Sequence, residues 1–137
     1  MDSNAAKETL HAYLHQKKLR PTRERMLLLE EIMRTDGHFD ADQLYASLSA
    51  KGLKASRATV YNTLRQFTEA GLLRELAVDG SRTYFDTNTS NHSHFFIERE
   101  GRLVDIPGDG IRVDGLPQPP EGMAISHIDV VVRLVKK

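Results

Sequence analysis

The 137-residue sequence contains no cysteine and no tryptophan. Without cysteine, disulfide bonds, thiolate zinc sites and thiol redox sensing are excluded, so a bound metal must be held by histidine, aspartate and glutamate. No apolar run approaches the roughly 20 residues of a membrane-spanning helix. The N-terminal residues also lack the cationic-then-apolar order of a secretion signal. We therefore expect a cytoplasmic protein.

The sequence also lacks an excess of charge of either sign, since 19 basic residues balance 19 acidic ones. Nucleic-acid binding therefore cannot be inferred from net charge and requires a local basic patch. Basic residues cluster in one short segment, with a single acid among them: Lys17, Lys18, Arg20, Arg23 and Arg25. A solvated surface gives the same pattern, so the cluster alone leaves both interpretations open.

Apolar residues at helical spacing predict three helices before residue 53. The first covers residues 5–16. The second starts after a capping Thr22 and stops near residues 35–37. It is expected to bury Met26, Leu29, Ile32 and Met33. The third opens with a capping box formed by Asp40 and Gln43 and ends at residues 51–52.

A fourth helix is predicted between a capping Ser56 and Gly71, which suits a left-handed helix end. Val60, Leu64 and Phe67 form its apolar side. The other side carries cations, amides, a hydroxyl and a flat ring: Arg57, Thr59, Tyr61, Asn62, Arg65 and Gln66. Such side chains contact phosphates and base edges when a helix lies in a DNA major groove. An ordinary solvated helix face is the alternative.

Residues 72–78 and 82–85 read as two strands joined by an Asp79-Gly80 turn. Helices followed by a hairpin are the order of a winged helix with one extra helix in front, and Arg82 on the hairpin suits a phosphate contact. The polar residues 86–91 then mark a domain junction. Further strands are predicted at 94–99, 102–106 and 125–134. Three strands are too few to bury both faces of their sheet, so we expect a second copy of the chain to pack against it.

We accordingly predict an α+β protein with two domains. Residues 1–87 form a winged-helix DNA-binding domain, and residues 88–137 form a small α/β domain, mostly strand, for dimerisation and ligand sensing.

Histidines and carboxylates give the sharpest chemical signal. His92 and His94 are two residues apart at the start of a strand, so both imidazoles face one side and can share one ion. Asp86 lies just upstream, Asp105 lies on the adjacent predicted strand, and His38 lies in the loop before the third helix. These residues can build a site of nitrogen and oxygen ligands that bridges the domains and suits Fe(II), Mn(II) or Zn(II).

Several motifs together resemble the ferric uptake regulator family of metal-responsive transcription factors. They are Thr-Arg-Glu-Arg at 22–25, His38 before Ala-Asp-Gln-Leu-Tyr at 41–45, Ala-Thr-Val-Tyr at 58–61, and His-Ser-His at 92–94. The C-terminal segments 105–107, 116–123 and 128–134 are most similar to the iron response regulator branch of alphaproteobacteria.

The resemblance implies a homodimer that binds a palindromic DNA operator and regulates iron homeostasis. By position it places groove contacts on Tyr61 and Asn62 and basic contacts on Arg20 and Arg25. It also implies that the sensing site uses the five ligands named above: His38, Asp86, His92, His94 and Asp105. A second metal site of many relatives would keep only His127, because Asn91, Ser93 and Arg112 stand where its other ligands are expected.

The effector implied by the resemblance is haem, whose binding is linked to loss of DNA binding and whose candidate axial ligands are His38, His92 and His94. The same three histidines could instead hold a divalent co-repressor metal such as Fe(II) or Mn(II). Two other classes of function fit the same residues. Histidines and carboxylates around an ion can activate water, as in a metal-dependent hydrolase. The fourth helix can also present Arg57, Tyr61 and Arg65 to a protein partner.

Overall fold

Four helices, a short strand and a hairpin make up the first of two units into which the chain divides, Met1–Thr89 and Ser90–Lys137. The computed structural model describes residues 3–35, 37–79, 82–90, 92–107 and 110–137. The elements of the first unit are α1 Ser3–Gln16, α2 Arg23–Ile32, β1 His38–Asp40, α3 Ala41–Ala50, α4 Arg57–Glu69, β2 Arg74–Asp79 and β3 Arg82–Asp86. Within these ranges, no helix has the length and apolarity that crossing a membrane requires.

Side-chain caps define where the helices begin. The Thr22 hydroxyl accepts from the Arg25 amide at the start of α2, and Ser56 accepts from the Thr59 amide at the start of α4. Asp40 forms the expected capping box, because its carboxylate accepts from the Gln43 amide at 2.7 Å and the Gln43 side chain accepts from the Asp40 amide at 3.0 Å. All three predicted caps are confirmed.

The core of the first unit joins the inner faces of all four helices to the hairpin. Its fully buried members include Leu14, Leu28, Leu44, Leu64 and Phe67. The prediction that Met33 is buried is wrong. Met33 is 52% exposed, because α2 ends at Ile32 and Met33 is already the C-cap residue.

The strands of the first unit form a sheet in the order β1-β3-β2 with antiparallel pairs. The hairpin strands β2 and β3 were predicted, whereas β1 was predicted as a loop. The predicted Asp79-Gly80 turn lies partly outside the described residues. Strand β1 places His38 directly opposite Asp86 in the β1–β3 register.

The second unit has a three-stranded sheet in the order β5-β4-β6, formed by β4 Ser93–Ile97, β5 Arg102–Ile106 and β6 Val131–Leu134. Strand β4 pairs antiparallel with β5 and parallel with β6. The predicted last strand, 125–134, is shortened to its final four residues. The preceding segment exposes several large apolar side chains: Val113, Leu116, Met123, Ile125 and Ile128.

Candidate metal centre and nucleic-acid interface

The first unit contributes one buried carboxylate and one imidazole to the predicted metal site. His38 and Asp86 are cross-strand partners, and the His38 Nε2 lies 3.2 Å from the Asp86 Oδ2. The Asp86 Oδ1 accepts from the Asn88 amide at 2.8 Å. Asp86 is only 1% exposed, so the sheet and the turn after it fix this carboxylate in one orientation.

The second unit brings together the other three predicted ligands. The β4–β5 register places His94 opposite Asp105, and the ring of His92 lies 4.4 Å from that of His94. The Nε2 atoms of His92 and His94 lie 3.2 and 3.3 Å from the same oxygen, Asp105 Oδ1. Two imidazole nitrogens therefore converge on a single carboxylate oxygen.

A hydrogen bond at the Nδ1 atom of His92 indicates which nitrogen of this ring carries the proton. The His92 Nδ1 lies 2.8 Å from the Ser90 carbonyl oxygen, which can only accept a hydrogen bond, so Nδ1 carries the proton. In a neutral ring the Nε2 then has a lone pair that faces the Asp105 carboxylate. Two acceptors face each other favourably only when the ring is protonated or when a cation lies between them.

The chemistry of the five predicted ligands is that preferred by a divalent metal of intermediate softness. They are three imidazoles and two carboxylates without a thiolate, a set that suits Fe(II), Mn(II) and Zn(II). Two other ionisable side chains of the second unit have different partners. Glu98 pairs with Arg133 at 3.1 Å, and His127 pairs with Asp129 at 3.2 Å.

The predicted DNA contacts lie on α4, on α2 and on the segment before α2. Tyr61 is 51% exposed, and Asn62 and Arg65 are exposed beside it, joined by a 3.4 Å contact from the Arg65 Nη2 to the Asn62 Oδ1. These three side chains line a cavity of about 400 Å³ that also includes Arg82 of the hairpin. The polar face of α4 is thus continuous with the wing. Thr59 is half-buried, and its hydroxyl accepts from that of Ser56.

Two of the predicted basic contacts are held by partners that the sequence did not reveal. Arg25 donates from Nε and Nη2 to the Gln66 Oε1, and from Nη1 to the Arg20 carbonyl oxygen at 2.8 Å. Arg57 donates to the Asp42 carboxylate at 2.6 Å. No sequence pattern marks these pairs, because the partners are 41 and 15 residues apart.

Comparison with known sequences identifies relatives over most of the chain. The model of the ferric uptake regulator family matches residues 16–132. The peroxide operon regulator of Bacillus subtilis (strain 168) is 36% identical over 128 residues, which cover 93% of this chain and 88% of that protein. The peroxide-responsive repressor of Staphylococcus epidermidis is 37% identical over 95 residues, which cover 69% of this chain and 63% of that protein. The names of both relatives refer to peroxide.

Solved structures share the fold at lower sequence identity. The ferric uptake regulator from Pseudomonas aeruginosa with manganese has a TM-score of 0.69 at 22% identity, and the alignment covers 93% of this chain and 98% of that one. A zinc uptake regulator complexed with zinc and DNA has a TM-score of 0.64 at 17% identity, with 99% and 93% covered. The predicted α+β fold is confirmed.

Proposed function

Since the chain belongs to the ferric uptake regulator family, we propose that it is a homodimeric DNA-binding protein whose operator affinity is set by one divalent cation. The chain is a metal-responsive transcriptional regulator and not an enzyme. The proposed ligands are the five residues predicted from the sequence: His38, Asp86, His92, His94 and Asp105.

The observation that carries the proposal is the arrangement around Asp105. Its Oδ1 faces the Nε2 atoms of both His92 and His94 at hydrogen-bond distance. His94 is only 1% exposed, so its ring is held in place beside Asp105. A bound divalent cation turns the facing lone pairs of the His92 Nε2 and the Asp105 carboxylate into a favourable interaction.

Sequence separation supports the assignment of His38 and Asp86 to the same cation. Only six positions separate Asp86 from His92, and a fully extended chain of that length spans at most about 20 Å. A cation that takes ligands from both units favours one arrangement of them over others. It changes DNA affinity to the extent that its own affinity differs between those arrangements.

Haem is the second candidate effector, because segments 105–107, 116–123 and 128–134 resemble the iron response branch and imidazoles can be axial haem ligands. His38, His92 and His94 would be those ligands. The geometry favours a small ion, since the rings of His92 and His94 are 4.4 Å apart and are aimed at one carboxylate oxygen. The experiment below therefore tests haem beside the divalent cations.

DNA recognition is proposed to use α4 as the helix that enters the major groove. Tyr61, Asn62 and Arg57 reach base edges, while the other cationic side chains contact phosphates: Arg20, Arg25 and Arg65. Thr59, near the start of α4, contacts the DNA backbone beside these side chains. Two copies related by a two-fold axis read the two halves of a palindrome. A regulator that binds chromosomal DNA in a bacterium works in the cytoplasm, which is the proposed compartment.

The second unit is the proposed dimerisation surface. Its sheet has two edge strands, β5 and β6, and exposed edges pair readily with another chain. The apolar side chains of residues 113–128 are also exposed in the isolated chain. Exposed apolar patches of this kind commonly mark protein interfaces.

The experiment is a titration of the metal-stripped protein with Mn(II), Zn(II), anaerobic Fe(II) or haem in the presence of DNA. The duplex is first enriched from a random-sequence library by the protein loaded with Mn(II). We expect a divalent cation to change duplex affinity by at least about fivefold, the lower end of common allosteric coupling. A change caused by haem alone, with a histidine-type absorbance band, would replace the cation by haem as effector. No change with any of the four would contradict the proposed regulation.

A further inference from the structure

Asp42 lies on the proposed DNA-binding face although its charge has the same sign as a phosphate. It is the second residue of α3, and its side chain is 67% exposed. An acid there is favourable beside the helix N-terminus. The cap of α3, however, is Asp40, whose carboxylate makes the N-terminal hydrogen bond. The start of α3 therefore depends on the Asp40 cap more than on Asp42.

The Asp42 carboxylate contacts two of the proposed DNA-binding side chains. Its Oδ1 lies 2.6 Å from the Arg57 Nη1 and 3.4 Å from the Tyr61 hydroxyl. Arg57 and Tyr61 are four residues apart on α4, so they share one face of that helix. The Arg57 guanidinium also lies over the Tyr45 ring, 4.5 Å from its centroid. Arg57 is thereby held between a ring and a carboxylate, both from α3.

These contacts have opposite effects on two kinds of DNA complex. Non-specific binding is almost entirely electrostatic. In such a complex the negative charge of Asp42 opposes the phosphates and competes with them for Arg57. Specific binding adds hydrogen bonds to base edges, and these benefit when Arg57 and Tyr61 are already oriented.

We propose that Asp42 is a specificity-determining residue, which orients Arg57 and Tyr61 for base contacts and opposes attachment to phosphates alone. The inference rests on the proposed DNA-binding function. The effect of Asp42 on DNA binding is limited in size, because Arg57 and Asp42 are both more than half exposed. An exposed ion pair of this kind changes an equilibrium by about fivefold at most.

The test compares Asp42→Asn with the wild type on two duplexes, with Mn(II) present. One duplex is enriched by the wild type from a random library, and the other is a shuffled duplex of the same composition. We expect Asp42→Asn to bind the shuffled duplex about two- to fivefold more tightly and the enriched duplex no more tightly. The ratio of the two dissociation constants then falls.

Glu69→Gln is the matched control, because it removes the same charge from the exposed C-terminal end of α4. It should leave the ratio of dissociation constants at the wild-type value. An unchanged ratio in Asp42→Asn, or an equal fall in Glu69→Gln, would overturn the inference. The midpoint of thermal unfolding of Asp42→Asn should fall by only a few degrees, since the Asp40 cap is retained and only a favourable charge near the helix N-terminus is lost.

A second comparison tests whether Asp42 acts through Arg57. In an Arg57→Gln background, Asp42→Asn should change the ratio by less than half as much, because the oriented cation is already absent. An undiminished effect would overturn the orienting role. A wild type that enriches no duplex would refute the proposed function and this inference together. A wild type that discriminates no better than Asp42→Asn refutes only the inference.

Discussion

Gln66 holds Arg25 in place across two helices. The Gln66 side-chain oxygen on α4 accepts from the Arg25 Nε at 3.2 Å and from its Nη2 at 3.0 Å, while Arg25 itself lies on α2. The third bond, to the Arg20 carbonyl oxygen, extends the contact to the segment before α2. A proposed phosphate contact is thus fixed by a residue that need not touch DNA.

Replacing Gln66 by alanine is expected to lower the free energy of unfolding by about 1 kcal/mol, because hydrogen bonds to a partly exposed charged group are lost. Urea unfolding monitored by circular dichroism measures this change. Gln66→Glu, which keeps an acceptor for Arg25, should retain the wild-type value within about 0.5 kcal/mol. Equal losses in the two variants would show that Gln66 acts through helix packing and not through Arg25.

Glu31 ties α2 to α3 through a network whose strength depends on pH. Hydrogen bonds from Lys51 and Ser47 hold the pKa of the buried Glu31 carboxyl below its ordinary value of 4.5. Because the folded-state pKa is the lower one, this stabilisation is complete above about pH 4.5. It is lost as the pH falls through the folded-state value.

Glu31→Gln should therefore lower the free energy of unfolding by about 1–2 kcal/mol near pH 7 and by less near pH 3.5. Urea unfolding at the two pH values gives the comparison. Glu30→Gln is the matched control, since Glu30 is an exposed neighbour paired with Arg34, and it should change stability little at either pH. A constant difference between Glu31→Gln and the wild type at both pH values would be inconsistent with the lowered pKa.

The sequence predicted the elements whose signals are local. Helix caps at Thr22, Asp40 and Ser56 act within three residues, so they were recognisable without a structure. Strand β1 was missed because it has three residues and exists through its pairing with β3, some 46 positions along the chain. The β-branched residues within 128–132 favour a longer last strand. A strand, however, extends only as far as its partner β4 pairs with it.

Local spacing likewise predicted part of the candidate sites, whereas contacts between separate helices determine the rest. The two-residue spacing of His92 and His94 predicted convergent rings, and the β4–β5 register places Asp105 beside them. The roles of Asp42 and Gln66 could not be predicted, because each depends on a contact between separate helices. Met33 has a core-like spacing, but the helix ends before it.

Tyr61 offers a test of the DNA-binding face alone. Tyr61→Ala should weaken binding to the enriched duplex by about ten- to a hundredfold, the usual cost of losing a base-edge contact. The midpoint of thermal unfolding should hardly change, because the side chain is half exposed and lies outside the core. Mn(II) affinity in the absence of DNA, measured by calorimetry, should also remain. Loss of Mn(II) binding in this variant would contradict the separation of the two sites.

His94 and His127 form a matched pair for testing the metal centre. His94→Ala should lower Mn(II) affinity by about tenfold or more, since it removes a buried candidate ligand. His127→Ala removes an imidazole from the same unit, but one that pairs with Asp129 and is well exposed. Calorimetric titration of the metal-stripped variants should show wild-type affinity for His127→Ala. Equal losses in the two variants would remove His94 from the ligand set.

The most direct test of the central claim is the reciprocity of cation and DNA binding. Mn(II) affinity is measured by calorimetry with and without saturating enriched duplex, and duplex affinity is measured with and without saturating Mn(II). Linkage requires both ratios to be equal. In the wild type and in His127→Ala, we predict that the two ratios are equal and differ from one. In the double variant that carries both His92→Ala and His94→Ala, we predict that both ratios are one and that DNA binding is retained. Ratios of one in the wild type, or an unchanged ratio in the double variant, would contradict control of DNA binding by a cation at these histidines.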